Sequence, residues 1–132
     1  MARPLPASEK YRLDRVFLVA PSSTPERVSA ITARCSGFVY AVSLMGITGT
    51  RDAVHEAAGA TVSRIRAHTS LPVAVGLGVS NRDQAAEVAG FADGVIVGSA
   101  FVRRLTDAPD PASAVAAIRT LTADLAQGVS RR

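Results

Sequence analysis

Aromatic side chains are scarce in this sequence, with no Trp, two Tyr and four Phe among 132 residues. Because 48% of the residues are nonetheless hydrophobic, the core must be aliphatic, built from Val, Ile, Leu and Ala. That is the composition of a buried parallel sheet covered by helices. Cysteine is scarcer still: Cys35 stands alone, which excludes an internal disulfide and a thiolate-built metal site. Lysine occurs once, at Lys10, so the net charge of +4 rests on arginine. Most of the arginines are scattered (Arg27, Arg34, Arg51, Arg64, Arg66, Arg82, Arg119), and adjacent pairs occur only at Arg103/Arg104 and Arg131/Arg132. No aromatic residues are interleaved to stack bases, so the charge reads as a solvated surface and not as a nucleic-acid interface. No apolar run approaches the roughly 20 residues of a membrane span. The first twelve residues, with Pro4, Pro6, Glu9 and Lys10, lack the apolar stretch of a signal peptide. The expectation is a soluble, cytoplasmic protein that engages neither nucleic acid nor membrane.

Four short apolar runs are present: Val16–Ala20, Phe38–Ser43, Val73–Leu77 and Gly94–Val97. Each is largely continuous and not alternating, which predicts strands buried on both faces. Helical patterns separate them. Ser22-Ser23-Thr24-Pro25-Glu26 offers cap candidates, a proline for the first helical position and a first-turn acid, and Val28 and Ile31 continue one apolar face. A second helix is predicted over Ala57–His68, with Val62 and Ile65 inward. A third starts at a capping-box-like Ser80 and Asp83 and carries Ala85, Ala86 and Val88. The last begins near Asp110-Pro111, carries Val115, Ile118, Leu121 and Leu125 inward, and has Gly128 at the C-cap position. Strand–helix repeated four times means parallel strands joined by right-handed crossovers. A (β/α) barrel segment and a small doubly wound sheet both fit. A complete eight-stranded barrel does not, since it needs about 250 residues.

Ligands in parallel α/β folds bind at the C-terminal ends of the strands, and the segments there are rich in glycine. The second strand is followed by Gly46-Ile47-Thr48-Gly49-Thr50-Arg51, the third ends in Gly76-Leu77-Gly78-Val79-Ser80, and the fourth in Gly98-Ser99-Ala100. Gly78 and Gly98 would let backbone N–H groups approach an anion, Ser99 adds a hydroxyl, and a short helix through Ala100-Phe101-Val102 would aim its N-terminus there. Loops after two consecutive strands, together with a short extra helix, form a known barrel phosphate site. Dinucleotide binding is excluded because Asn81 stands where a third glycine is needed, and Gly46–Arg51 has no Gly-Lys-Ser/Thr. The polar stretch Gly46–Glu56 reads as a mobile lid, with an ordinary exposed loop as the alternative.

At these loops the chain resembles a known family. Leu13–Arg27, Gly37–Ser43 with Gly46-Ile47-Thr48-Gly49, Leu71–Ser80 and Asp93–Ala100 resemble, in order, the last four strands and their loops in tryptophan synthase α subunits. The resemblance implies a partial (β/α) TIM barrel, roughly its last four βα units. On that reading, 1–12 is a non-family leader, 13–128 the half-barrel and 129–132 a basic tail. It implies cleavage of indole-3-glycerol phosphate to indole and glyceraldehyde 3-phosphate. The indole passes to a β-type partner subunit that holds the pyridoxal phosphate, so this chain itself takes no cofactor. Gly49, Gly78, Gly98 and Ser99 would bind the substrate phosphate. Tyr40, Thr48, Leu77, Val79 and Ile96 would line the indole-glycerol pocket, with Leu77 where the family often has Phe.

The retro-aldol step also needs a Glu and an Asp that the family carries on early strands. Of the eleven acids here, Asp14 and Asp93 precede their strands. Glu26, Asp83, Glu87, Asp107, Asp110 and Asp124 read as helix-start, loop or surface residues. Only Asp52 and Glu56, in the lid stretch, reach toward the catalytic face, and no residue receives a catalytic or metal-ligating role. His55 and His68 read as surface histidines. Two functions from different classes follow: the phosphate-holding half of an indole-releasing lyase, or a non-catalytic half-barrel that binds a phosphorylated metabolite or a subunit. Another phosphate-binding barrel enzyme is a third. An open half-barrel leaves unpaired strand edges, so the partners expected are a separate N-terminal half-barrel or a second copy, besides the β-type subunit and the phosphorylated substrate.

Overall fold

The computed structural model describes residues 6–43 and 51–130. In chain order the elements are α1 (Pro6–Lys10), β1 (Leu18–Val19), α2 (Pro25–Arg34), β2 (Val39–Val42), α3 (Arg51–Arg66), β3 (Val73–Gly76), α4 (Arg82–Ala89), β4 (Gly94–Ile96), α5 (Ser99–Asp107) and α6 (Pro111–Val129). Among the described residues no helix is long and apolar enough to cross a membrane.

The four aliphatic runs form one parallel sheet in the order β1-β2-β3-β4. That order decides between the two folds the pattern allowed. A doubly wound sheet reverses its strand order partway, placing helices on both faces. Here every strand lies beside its predecessor, so successive right-handed crossovers put their helices on the same face. The sheet is an arc of a (β/α) barrel with helices on its outer side.

The sequence expectation of strands buried on both faces is corrected. Burial alternates along β2 and β3: Val39, Ala41, Val73 and Val75 are buried, while Tyr40, Val42, Ala74 and Gly76 between them are half-exposed. The buried set joins Val19, Val28, Val62, Ile65, Val88, Leu121 and Leu125 in one aliphatic core between sheet and helices. Among the described residues nothing comparable covers the other face, and Leu18 on β1 is 56% exposed. The runs are apolar on both sides because in a closed barrel both sides are buried.

Helix ends follow local chemistry, with several shifts from the sequence reading. Thr24 caps α2, its Oγ1 accepting the Arg27 N–H at 3.3 Å, and Pro25 takes the first helical position. α3 begins at Arg51, six residues before the expected start, so Asp52, His55 and Glu56 lie on a helix and not in a lid. The remainder of the expected lid, Gly46 to Thr50, lies outside the described residues. The cap of α4 is Asn81, not Ser80: Asn81 Oδ1 accepts the Gln84 N–H at 3.0 Å, while the Ser80 N–H and hydroxyl both donate to Gln84 Oε1. Asp110 caps α6 by accepting the Ser113 N–H at 2.8 Å.

On α6 the buried stripe is Ala114, Leu121, Leu125 and Gly128, and Val115 is 58% exposed. Gly128 is a helix-crossing residue and not a C-cap. A Cβ there would overlap the Arg82 carbonyl at the start of α4, and the helix continues to Val129. The crossing is bound on its exposed side, where the Arg82 N–H and guanidinium reach the two Asp124 carboxylate oxygens at 3.0 and 2.7 Å.

Candidate functional site

The C-terminal ends of β3 and β4 are adjacent because the strands pair in parallel, Gly76 beside Ile96. Beyond β3 the chain runs Leu77-Gly78-Val79, and Leu77 and Val79 are both buried in the core. Two side chains anchored inward force the residue between them outward, and Gly78 meets this with φ of 69°. That left-handed conformation strains any residue carrying a Cβ.

Beyond β4, Gly98 is the N-cap of α5, and no side chain caps that helix. The first-turn N–H groups of a helix have no intrahelical partners. At α2, α4 and α6 side chains of Thr24, Asn81 and Asp110 satisfy part of that demand. At α5 no side chain does so. A Cβ built on Gly98 would meet nothing within 4 Å, so the space before this helix is open. Ser99 is exposed in the first position of the helix. An uncapped N-terminus joins a positive dipole end to unpaired donors, which is the chemistry of an anion site.

Tyr40 lies on the half-exposed sheet face, its ring across the end of β3. A Cβ on Gly76 would stand 2.6 Å from the Tyr40 hydroxyl oxygen, so any larger residue there would push the ring from this position. Ile96, in register with Gly76, shares that face. Of the pocket residues expected from sequence, Tyr40 and Ile96 thus stand on the open face. Leu77 and Val79 lie in the core beneath Gly78, and Thr48 is outside the described residues. Of the phosphate residues, Gly78, Gly98 and Ser99 come together at the ends of adjacent strands, and Gly49 is outside the described residues.

The described carboxylates sit elsewhere. Asp93 Oδ2 accepts the Val73 N–H at 2.9 Å and pairs with Arg66 at 3.1 Å, at the N-terminal ends of the strands. Asp14 lies beside Gly37, before β2. Asp52 and Glu56 are exposed on α3. The sequence reading missed a pair on the helical layer: His55 Nδ1 is 3.1 Å from Glu87 Oε2, with the imidazole tilted against Phe91. It joins α3 to α4 across 32 residues, too far for any local pattern to reveal. Among the described residues no group of three or more His, Cys, Asp or Glu could hold a metal ion.

The family model for the tryptophan synthase alpha chain matches residues 5–130, reaching into the amino-terminal segment. The chain belongs to the tryptophan synthase α chain family. It is 62% identical over 122 residues to the tryptophan synthase alpha chain of Streptomyces coelicolor, a match covering 92% of this chain and 45% of that one. Identity to the Mycobacterium avium alpha chain is 55% over 128 residues, 97% of this chain and 45% of the relative. A solved structure of Mycobacterium tuberculosis tryptophan synthase superposes with a TM-score of 0.79 at 54% identity, covering 93% of this chain and 44% of the other. The alpha subunit from Campylobacter jejuni superposes with a TM-score of 0.75 at 30% identity, over 86% and 46% of the two chains. This member of the family therefore spans a little under half the length of the relatives it matches, and its four parallel strands are a partial TIM barrel.

Proposed function

We propose that this chain is the phosphate-holding half of an α-subunit-type enzyme that cleaves indole-3-glycerol phosphate to indole and glyceraldehyde 3-phosphate. The observation that carries the reading is the uncapped start of α5 beside the Gly78 turn, at the ends of adjacent parallel strands. The Ser99 hydroxyl and the amides of the Gly98 turn would hold the phosphate, with Gly49 added from the preceding loop. Tyr40 and Ile96 would face the indole-glycerol portion, backed by Leu77 and Val79 and closed by Thr48. Anchoring the phosphate spends remote binding energy on orienting the glycerol carbons for bond cleavage.

No described carboxylate stands on the open sheet face, so this chain supplies binding and orientation. The two carboxyl groups that move protons between glycerol hydroxyl and indole ring would come from the other half of the barrel. The reading gives this chain no cofactor of its own and a tryptophan synthase β-type subunit as partner. On its own, the chain is then a half-barrel that holds a phosphorylated metabolite without turnover.

The deciding experiment is indole release from indole-3-glycerol phosphate by the purified, folded chain with a β subunit present, alongside calorimetric titration with glyceraldehyde 3-phosphate. Binding without turnover is the expected result. Turnover abolished by Asp52→Asn or Glu56→Gln would refute it, since an exposed α3 acid would then be doing the proton transfer. Absence of binding would remove the phosphate assignment itself.

A further inference from the structure

We infer that a cleft between α4, α5 and α6 binds a small organic monocarboxylate, apart from the candidate phosphate site. Asn81 at the start of α4, Arg104 of α5, and Thr120 and Asp124 of α6 give the cleft its polar groups. Ala117 and Leu121 give it apolar surface, and the space they enclose is about 430 Å³. All three helices lie within the described residues, and α6 packs against both of the others. Gly78, Gly98 and Ser99 do not line this cleft, so the two sites can be separated by mutation.

The charge in the cleft is unbalanced. Arg103 and Arg104 are neighbours in sequence, yet Arg103 is exposed and Arg104 is half-buried. Partial burial of an ion is unfavourable unless a counter-charge or hydrogen-bond acceptors meet it. Among the described residues Asp124 is the one acid lining the cleft. Its two oxygens already accept from the Arg82 N–H and Nε–H, at 3.0 and 2.7 Å. Among the described residues no carboxylate or carbonyl accepts from Arg104. Asn81 uses its Oδ1 to cap α4, which leaves its amide nitrogen to donate, and Thr120 adds a hydroxyl.

These groups select the ligand. A guanidinium presents parallel N–H donors in a fork that fits a carboxylate or a phosphate. A phosphate monoester carries nearly two negative charges, and Asp124 in the same cleft repels the second. A single carboxylate matches the single surplus cation. Ala117 and Leu121 suit a short carbon skeleton better than a bare inorganic anion.

The test is a titration of the isotope-labelled 132-residue chain with sodium lactate at constant ionic strength. NMR follows the Arg104 Nε–H and the Asn81 side-chain amide, and saturable shifts are expected at both. Arg104→Gln, read at Asn81, should weaken binding by about tenfold or more, as loss of a charge-assisted pair does. Gly98→Ala should leave the lactate affinity unchanged, since Gly98 lies outside the cleft. If Arg104→Gln loses its fold, Arg104→Lys decides: it keeps the charge without the fork, and should also bind lactate more weakly. The inference would be overturned by the absence of saturable shifts, or by an affinity that a folded Arg104 variant leaves untouched. Loss of lactate binding in Gly98→Ala, or tighter binding of inorganic phosphate at the same two groups, would overturn it as well.

Discussion

Gly78 and Gly98 flank the same candidate site, but the backbone asks different things of them. Gly78 holds φ of 69°, and a Cβ in that region costs about 1–2 kcal/mol. Gly98 has φ of −118° and open space where a Cβ would go. Gly78→Ala should therefore lower the urea midpoint and weaken inorganic phosphate binding together. Gly98→Ala should leave the midpoint near wild type and weaken phosphate alone, because its methyl group fills space the anion would use. Equal stability losses in the two variants would mean that Gly98 is there for the turn and not for a ligand. Asp110 offers a second test at this scale. Hydrogen bonds from the Ser113 amide and hydroxyl hold its carboxyl below the usual value, so the folded state favours the charged form. That contribution is fully present above the ordinary carboxylate pKa and is lost as pH falls through the lowered one. Asp110→Asn keeps an oxygen for the cap but does not titrate, so thermal melts should show a shallower loss of stability below about pH 4, where carboxylates take up protons. An unchanged acid limb would exclude Asp110 as a contributor. Both glycines were legible in the sequence as glycines at strand ends. The contact of Tyr40 with Gly76 was not, because it joins two strands across 36 residues.

Whole elements were legible where apolar residues repeat and blurred where a polar stretch could be either loop or helix. The four aliphatic runs located every strand within two residues at either end. Gly46–Glu56 read as one polar loop, although Ala53, Val54, Ala57 and Ala58 already carry a helix that starts at Arg51. On α6, Ala114 and Val115 are neighbours competing for one inward position. The larger residue is the natural choice from sequence, but Ala114 is the one buried and Val115 faces outward, 58% exposed. Gly128 shows the same economy of space. It stands where a C-cap would be, and its actual constraint is the backbone of Arg82 on α4. Gly128→Ala cannot be absorbed by moving a flexible side chain. The crossing must separate, at the 1–3 kcal/mol typical of overpacking, and the Arg82–Asp124 contacts should be lost with it. Chemical denaturation should show that loss, whereas Gly59→Ala on α3 should not: its Cβ would lie 3.8 Å from Phe91, an ordinary contact, and alanine favours a helix.

At the scale of the whole molecule, the sequence is written for a closed barrel and the structure is an arc of one. Nothing in Tyr40, Val42 or Ala74 marks one sheet face as open, because the same residues would be buried on both faces in a complete barrel. The half-exposed face was therefore illegible, while the barrel itself followed from strand order once the chain was folded. The chemistry divides the same way. This chain carries an uncapped helix start and a left-handed glycine turn, but among its described residues no carboxylate on the open face. A separately expressed piece with the first four βα units of a full-length relative should then form a one-to-one complex with it and restore indole release. Leu18→Glu, at a side chain 56% exposed on β1, should weaken this complex, and Gly98→Ala should raise KM in the reconstituted enzyme with less effect on kcat, as expected for a group that holds the phosphate equally in ground and transition states. A complex that forms but stays silent, with its carboxylates intact, would mean that the departures in this chain, such as Leu77 beneath the Gly78 turn, have cost it the geometry the reaction needs.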